Sequence, residues 1–236
     1  MIQKTHSRYY HLKYLLESLQ SAKGELLDVG CGSGWLLNEI NSNFPKLKIR
    51  GCDIKKYENY KFYFIQSKAE KLNFTDSKFD FVLMTDVLEH LKKPALAISE
   101  ISRVLKRKGK FHLVVPIEGE LYTIDGVMRK VFGINQKKSP IGHIQQFTLK
   151  EIKLLLTTSK FKIIKIRYSY HFLYQILSFF YFTNLNITNK GKYKPLKVKQ
   201  KLIDFVGFFV NLEDFLLSGV KGQEAHIYAV KRKLIN

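Results

Sequence analysis

The runs LLDV at Leu26–Val29, FVLM at Phe81–Met84 and KFHLVVP at Lys110–Pro116 read as short strands with apolar residues on both faces. A strand of that kind has to be covered twice, which an open antiparallel sheet with one wet face cannot do. Helix-patterned segments alternate with these runs. GWLLNEI follows the first, and PALAISEISRVLKRKG precedes the last, with Pro94 at its first turn, basic residues expected in its final turn and Gly109 as its stop. The pattern predicts an α/β fold with a parallel sheet and helices on both faces.

The remaining elements fit this frame. An amphipathic helix is expected over Ser7–Gln20, a second strand in KLKIRGCDI ending at Asp53, and a third over Tyr60–Gln66. Residues 117–143 show no clear periodicity and read as a loop or lid. Thr148 and Glu151 form a capping box that opens a helix through about Thr158. FKIIKIRYSY and EAHIYAVKRK are the last two strands. Residues 171–222 between them are too many for a turn. Polar stripes (His171, Gln175, Ser178; then Asp204, Gly207, Asn211, Asp214, Ser218) cross two otherwise apolar helices, Phe172–Phe182 and Leu202–Val220. These predict a helical hairpin within a single domain spanning 1–236. The polar interruptions argue against a membrane span.

The stretch LLDVGCGSGW places Gly30, Gly32 and Gly34 between the first strand and its helix. Such a turn presents backbone N–H groups at a helix N-terminus and removes side chains where a ligand must lie close. A dinucleotide fingerprint spaces its third glycine one residue later than this chain does.

LLDVGCGSGW resembles motif I of the class I S-adenosylmethionine-dependent methyltransferases of the small-molecule branch. FDFVLMTDVLEHL is similar to that family's fourth-strand motif, LKRKGKFHLVVP to its fifth, and HIQQFTLKEIKLLL to a later segment. The resemblance implies a doubly wound, seven-stranded Rossmann-like sheet whose last strand is antiparallel, with the hairpin inserted between the last two strands. It implies S-adenosyl-L-methionine as cofactor. The residues it assigns to that ligand are Asp28, Gly30, Cys31, Gly32 and Gly34 at the turn, Asp53 on the ribose with Ile54 beside it, and Ala69. Thr85 and Asp86 join them at the fourth strand's end, and Arg8 and Tyr9 from the first helix. Lys68 stands where the family carries an acid near the adenine, so backbone contact at Ala69 is the carry-over. His143 and His90 are the candidate catalytic residues, each weighed against a structural role.

Cys31 and Cys52 lack metal-ligand spacing and read as reduced cytosolic thiols; no metal is expected. The first residues carry no apolar h-region, so no secretory signal is expected. The net charge of +20 is spread along the chain. It suits an anionic membrane face or nucleic acid, and equally a solvated lysine-rich surface. Methyl transfer to a small-molecule or lipid-like acceptor is the leading function, with cytoplasmic location and peripheral contact at the inner membrane face through the hairpin. RNA methylation is the alternative and a non-catalytic binding protein the second. Oligomeric state is not legible.

Overall fold

The computed structural model describes residues 9–232 apart from 21, 59, 189–199 and 218. Its elements are α1 (Tyr9–Leu19), β1 (Glu25–Val29), α2 (Trp35–Asn43), β2 (Lys48–Asp53), β3 (Tyr63–Gln66), β4 (Phe79–Thr85), α3 (Pro94–Val104) and β5 (Leu105–Pro116). The chain continues through α4 (Ile124–Phe132), α5 (Lys138–Ile141), α6 (Leu149–Thr158), β6 (Phe161–Ser169), α7 (Phe172–Thr188), α8 (Gln200–Leu216) and β7 (Glu224–Lys231).

The seven strands form one sheet in the order β3-β2-β1-β4-β5-β7-β6. Strands β3 to β5 pair in parallel, and β7 is antiparallel between β5 and β6. The doubly apolar strands explain the layering. Leu26, Phe81 and Leu83 point into a core with Leu12, Leu15 and Leu19 of α1 and Leu36, Leu37 and Ile40 of α2. Their neighbours Leu27, Val82 and Met84 point the other way, into a core with Ile98 and Ile101 of α3 and Ile152 and Leu156 of α6. Each strand is thus covered by helices on both faces. The chain runs out from β1 in both directions, to β2 and to β4. The crevice at the carboxyl ends of these two strands is where open α/β sheets bind ligands.

Three departures from the sequence reading have physical causes. β3 begins at Tyr63 rather than Tyr60, because Tyr60 and Phe62 fold over the glycine turn instead of joining the sheet. The helix beginning at Pro94 ends at Val104, not at Gly109. Leu105 is fully buried and pairs with Phe79, so sheet formation overrides the helical propensity of LKRK. Within 117–143 the chain forms α4 and α5. Thr123 caps α4 through its side chain, which accepts from the Gly126 N–H, and Gly133 ends it in a left-handed turn.

The polar stripes leave open which way the hairpin helices turn. Their polar stripe faces inward. His171, Gln175, Ser178, Asn211 and Asp214 are buried, while Phe172, Phe180, Phe205, Phe208, Phe215 and Leu216 are exposed. The polar side chains face inward because they have partners there. His171 Nδ1 lies 2.6 Å from Asp214 Oδ1, and Gln175 Oε1 accepts from the Ile124 N–H at the start of α4. Burial disfavours the charged imidazole of His171, but Asp214 and the Val220 carbonyl outweigh it and raise its pKa. No helix among the described residues is long and apolar enough to cross a membrane.

Candidate functional site

The turn after β1 is locked from below. The Cys52 carbonyl accepts from the N–H groups of Gly30 and Cys31 at 2.8 and 3.0 Å. Gly30, Gly32 and Gly34 all have positive φ, at 80°, 52° and 79°, a region costly for residues with a Cβ. Their surroundings differ. A Cβ on Gly30 would strike Val87, and one on Gly34 would strike Phe62 at 2.6 Å, whereas one on Gly32 would meet nothing within 4 Å. Gly30 and Gly34 are therefore required by packing, and Gly32 fronts open space.

That space is a cleft of about 280 Å³ lined by Asp28, Gly30, Cys31, Gly32, Ser33, Trp35, Leu36, Thr85 and Asp86. Asp53 ends β2 beside it. Its Oδ2 accepts from the Gly32 N–H at 2.9 Å and its Oδ1 from the Lys55 N–H at 3.0 Å. Beyond Asp53 a second cleft is walled by Ile54, Gln66, Ser67, Lys68, Lys71 and Asn73. Lys68 is exposed there and Ala69 is buried. Tyr60 was not legible as a site residue. Its hydroxyl donates to the Gly32 carbonyl at 2.7 Å, and its ring stacks on Phe64. Arg8 lies outside the described residues, and Tyr9 opens α1.

Burial, with Asp28 nearby, pushes the thiols of Cys31 and Cys52 up, Cys52 to about 12. Both stay protonated and are poor nucleophiles at neutral pH.

At the end of β4 the backbone of Asp86 adopts φ 53°, sparsely populated for a residue with a side chain, and its N–H donates to the Val114 carbonyl. Asp86 also lines a second, larger cavity of about 430 Å³. Glu89, His90, Glu118, Lys137, His143, Tyr174 and Phe182 contribute to its wall. The tertiary structure brings His143 there. The Glu89 carbonyl accepts from the N–H groups of Ile144 and Gln145, and the Gly142 carbonyl meets His90 Nδ1 at 3.0 Å.

His143 Nδ1 lies 3.0 Å from Glu118 Oε2, and the two imidazole centroids are 5.0 Å apart. Burial opposes the charge on Glu118, but Lys137 and His143 hold its carboxyl down to about 2. Lys137 reaches Glu118 at 2.5 Å and Asp125 at 2.8 Å, and these carboxylates raise its pKa despite burial. Because the ionised Glu118 and the Gly142 carbonyl only accept, Nδ1 carries the proton in both histidines. Each Nε2 is left toward Glu89. Burial, reinforced by Asp86, raises the Glu89 pKa, and burial lowers that of His90.

The sequence profile of the methyltransferase domain matches residues 27–113, from β1 through β5. An uncharacterised Methanocaldococcus jannaschii protein, MJ1123, is 34% identical over 149 residues, 61% of this chain and 67% of that one. A malonyl-[acyl-carrier protein] O-methyltransferase of Hahella chejuensis is 22% identical over 49% of this chain, and the alignment spans 45% of that relative's length. Protein BH2331 of Bacillus halodurans, solved as a candidate methyltransferase, shares the fold with a TM-score of 0.64 at 20% identity, covering 95% of this chain and all of that one. The chain belongs to the class I S-adenosylmethionine-dependent methyltransferases. Its cofactor is S-adenosylmethionine.

The two clefts on either side of Asp53 fit that cofactor. The bare face of Gly32 and the buried Asp28 suit the amino-acid end, and Asp53 stands between this cleft and the nucleoside-sized space beyond.

Proposed function

We propose that the chain methylates an oxygen of a small-molecule or lipid-like acceptor held in the 430 Å³ cavity. The observation that carries this reading is the position of Asp86, which walls both the glycine-turn cleft and the cavity, so the two spaces meet at the end of β4. S-adenosylmethionine bound along the turn supplies an electrophilic methyl on a sulfonium. Asp28, Gly30, Gly32, Asp53, Ile54 and Ala69 are the residues proposed to hold it.

On the acceptor side the chain supplies positioning, where most of the rate enhancement of an in-line displacement arises. His143 binds the acceptor oxygen or takes its proton at Nε2, and Glu118 fixes the ring and its tautomer. The O-methyltransferase relative favours an oxygen nucleophile, and Phe182, Ile141 and Pro116 give the cavity an apolar wall for a hydrocarbon portion. His143→Ala should lower turnover by about 100-fold or more while leaving S-adenosylmethionine affinity within about twofold. The assay is mass spectrometry of metabolite and lipid extracts incubated with labelled cofactor, with RNA as a parallel pool. Label appearing only in RNA overturns the small-acceptor reading, and equal turnover by the variant removes His143 from the reaction.

A second feature bears on how a lipid-like acceptor arrives. The outward phenylalanines of α7 and α8 flank a lysine-rich connection, NKGKYKPLKVKQK. This combination suits peripheral contact with an anionic membrane face. Co-sedimentation should retain the chain on anionic but not zwitterionic vesicles at low salt, and Phe205→Ser with Phe215→Ser should release it. Failure to bind anionic vesicles at low salt ends this reading.

A further inference from the structure

We propose that Glu89, His90 and His143 form a binding site for one divalent transition-metal ion of the zinc class, in the wall of the acceptor cavity. This deepens the reading of that cavity as the acceptor site. It selects binding, through the ion, as the way His143 meets the acceptor oxygen.

The three side chains offer two imidazole nitrogens and one carboxylate oxygen, all within 4.8 Å of one another. Glu89 Oε1 lies 3.8 Å from Nε2 of His90 and 3.8 Å from Nε2 of His143. That separation is too long for a hydrogen bond. Two atoms that each lie about 2.1 Å from one ion are about 3–3.5 Å apart, so each of these two pairs needs to close by about 0.3–0.8 Å.

The orientation of the rings is a separate observation. Each histidine has its Nδ1 engaged, His90 by the Gly142 carbonyl and His143 by the Glu118 carboxylate. Each therefore turns a lone pair on Nε2 toward the same carboxylate. A second hydrogen bond that fixes tautomer and ring angle is what a metal-ligating imidazole requires.

Glu89 supplies an independent pointer to a ligand. It is 1% exposed, and neither carboxylate oxygen has a hydrogen-bond partner. A buried carboxylate left in that state is costly, and native structures leave few polar groups so.

The surrounding charge agrees. In a chain of net charge +20, this cavity is lined by Asp86, Glu89, Glu118 and Glu224 against Lys137 alone. An ammonium group would be served by the carboxylates and would leave the two imidazole lone pairs without a role; a metal ion uses all three groups. Two nitrogens and one oxygen suit zinc and its first-row neighbours, whereas magnesium and calcium favour oxygen alone. Three protein ligands leave a coordination position for an acceptor oxygen.

The test uses the full chain after removal of metal by chelation and dialysis. Zinc and magnesium are titrated calorimetrically, and S-adenosylmethionine is titrated into the same preparation. One zinc per chain is expected, with magnesium at least about tenfold weaker. Glu89→Gln and His143→Ala should each weaken zinc by about 100-fold or more. Glu118→Gln, which removes the carboxylate that His143 shares with Lys137, should weaken it about 10–100-fold. His90→Ala, on the more exposed ring, is expected to cost at least about tenfold, and it keeps the test valid if a buried variant misfolds. Unchanged zinc affinity in these variants, or no saturable zinc binding by the unaltered chain, overturns the proposal. Zinc binding is read whether or not the acceptor assay succeeds, so failure of the metal site and failure of the oxygen-acceptor reading are separable.

Discussion

Replacing Lys137 with methionine should destabilise the protein by about 3–5 kcal/mol, the range for removing one partner of a buried ion pair. For a chain of this size that corresponds to a melting temperature lower by about 6–20 °C. The expectation follows from what the lysine leaves behind. Lys137 is 5% exposed, and its ammonium is shared between Glu118 and Asp125, which are themselves buried. Without it, two buried carboxylates lose the positive charge they share. Glu118 keeps only His143, and Asp125 keeps the side-chain amide of Gln223.

The double variant Lys137→Met with Glu118→Gln should therefore be less destabilised than the two single losses added together, because the second change removes one stranded charge. The pH dependence follows from Glu118. Its folded-state pKa is depressed to about 2, so the stability it contributes is present above the ordinary carboxylate range and is lost as pH falls toward 2. In Lys137→Met the main group holding that pKa down is gone, so the deficit against the unaltered chain should shrink between pH 7 and pH 4. Thermal melts across that range measure both effects. A deficit independent of pH would mean the lysine acts through packing alone.

Asp53→Ala is expected to weaken S-adenosylmethionine binding by about 10–100-fold, the loss expected when hydrogen bonds to a charged acceptor are removed. Gly32→Ala should weaken it by at least about tenfold for a different reason. The new methyl meets no protein atom within 4 Å, so the free chain bears only the strain of a positive φ, about 1–2 kcal/mol. The same methyl projects into the cleft where the ligand is proposed to lie. Gly30→Ala is the contrasting case, since its Cβ collides with Val87, and its main effect should be on folding. Calorimetric titration beside thermal melts separates these outcomes. An unaltered affinity in both Asp53→Ala and Gly32→Ala would move the cofactor away from the turn.

The sequence by itself determined the layered architecture of this protein and the position of its glycine turn. Strands apolar on both faces admit only a doubly covered sheet, and LLDVGCGSGW fixes a bare backbone after the first strand because those constraints are local; Asp53 reaches Gly32 through the pairing of β1 with β2. The capping box at Thr148 and Glu151 was equally legible, since its two partners stand only three residues apart. Only the tertiary structure decided where local propensity gave way. The helix from Pro94 stops at Val104 because Leu105 has a strand to join. Tyr60 leaves the sheet edge because Gly32 offers its carbonyl.

The 430 Å³ cavity belongs almost wholly to that second class. Glu89 and His90 are adjacent in the chain, but nothing in their spacing names His143, Glu118 or Lys137 as neighbours. Those residues come from a segment without periodicity, which is held in place by the Glu89 carbonyl and a buried ion pair. The inward polar stripe of the hairpin has the same origin. A stripe pattern tells which residues share a helix face, while the partners available to them, Asp214 for His171 and the start of α4 for Gln175, decide which way that face turns.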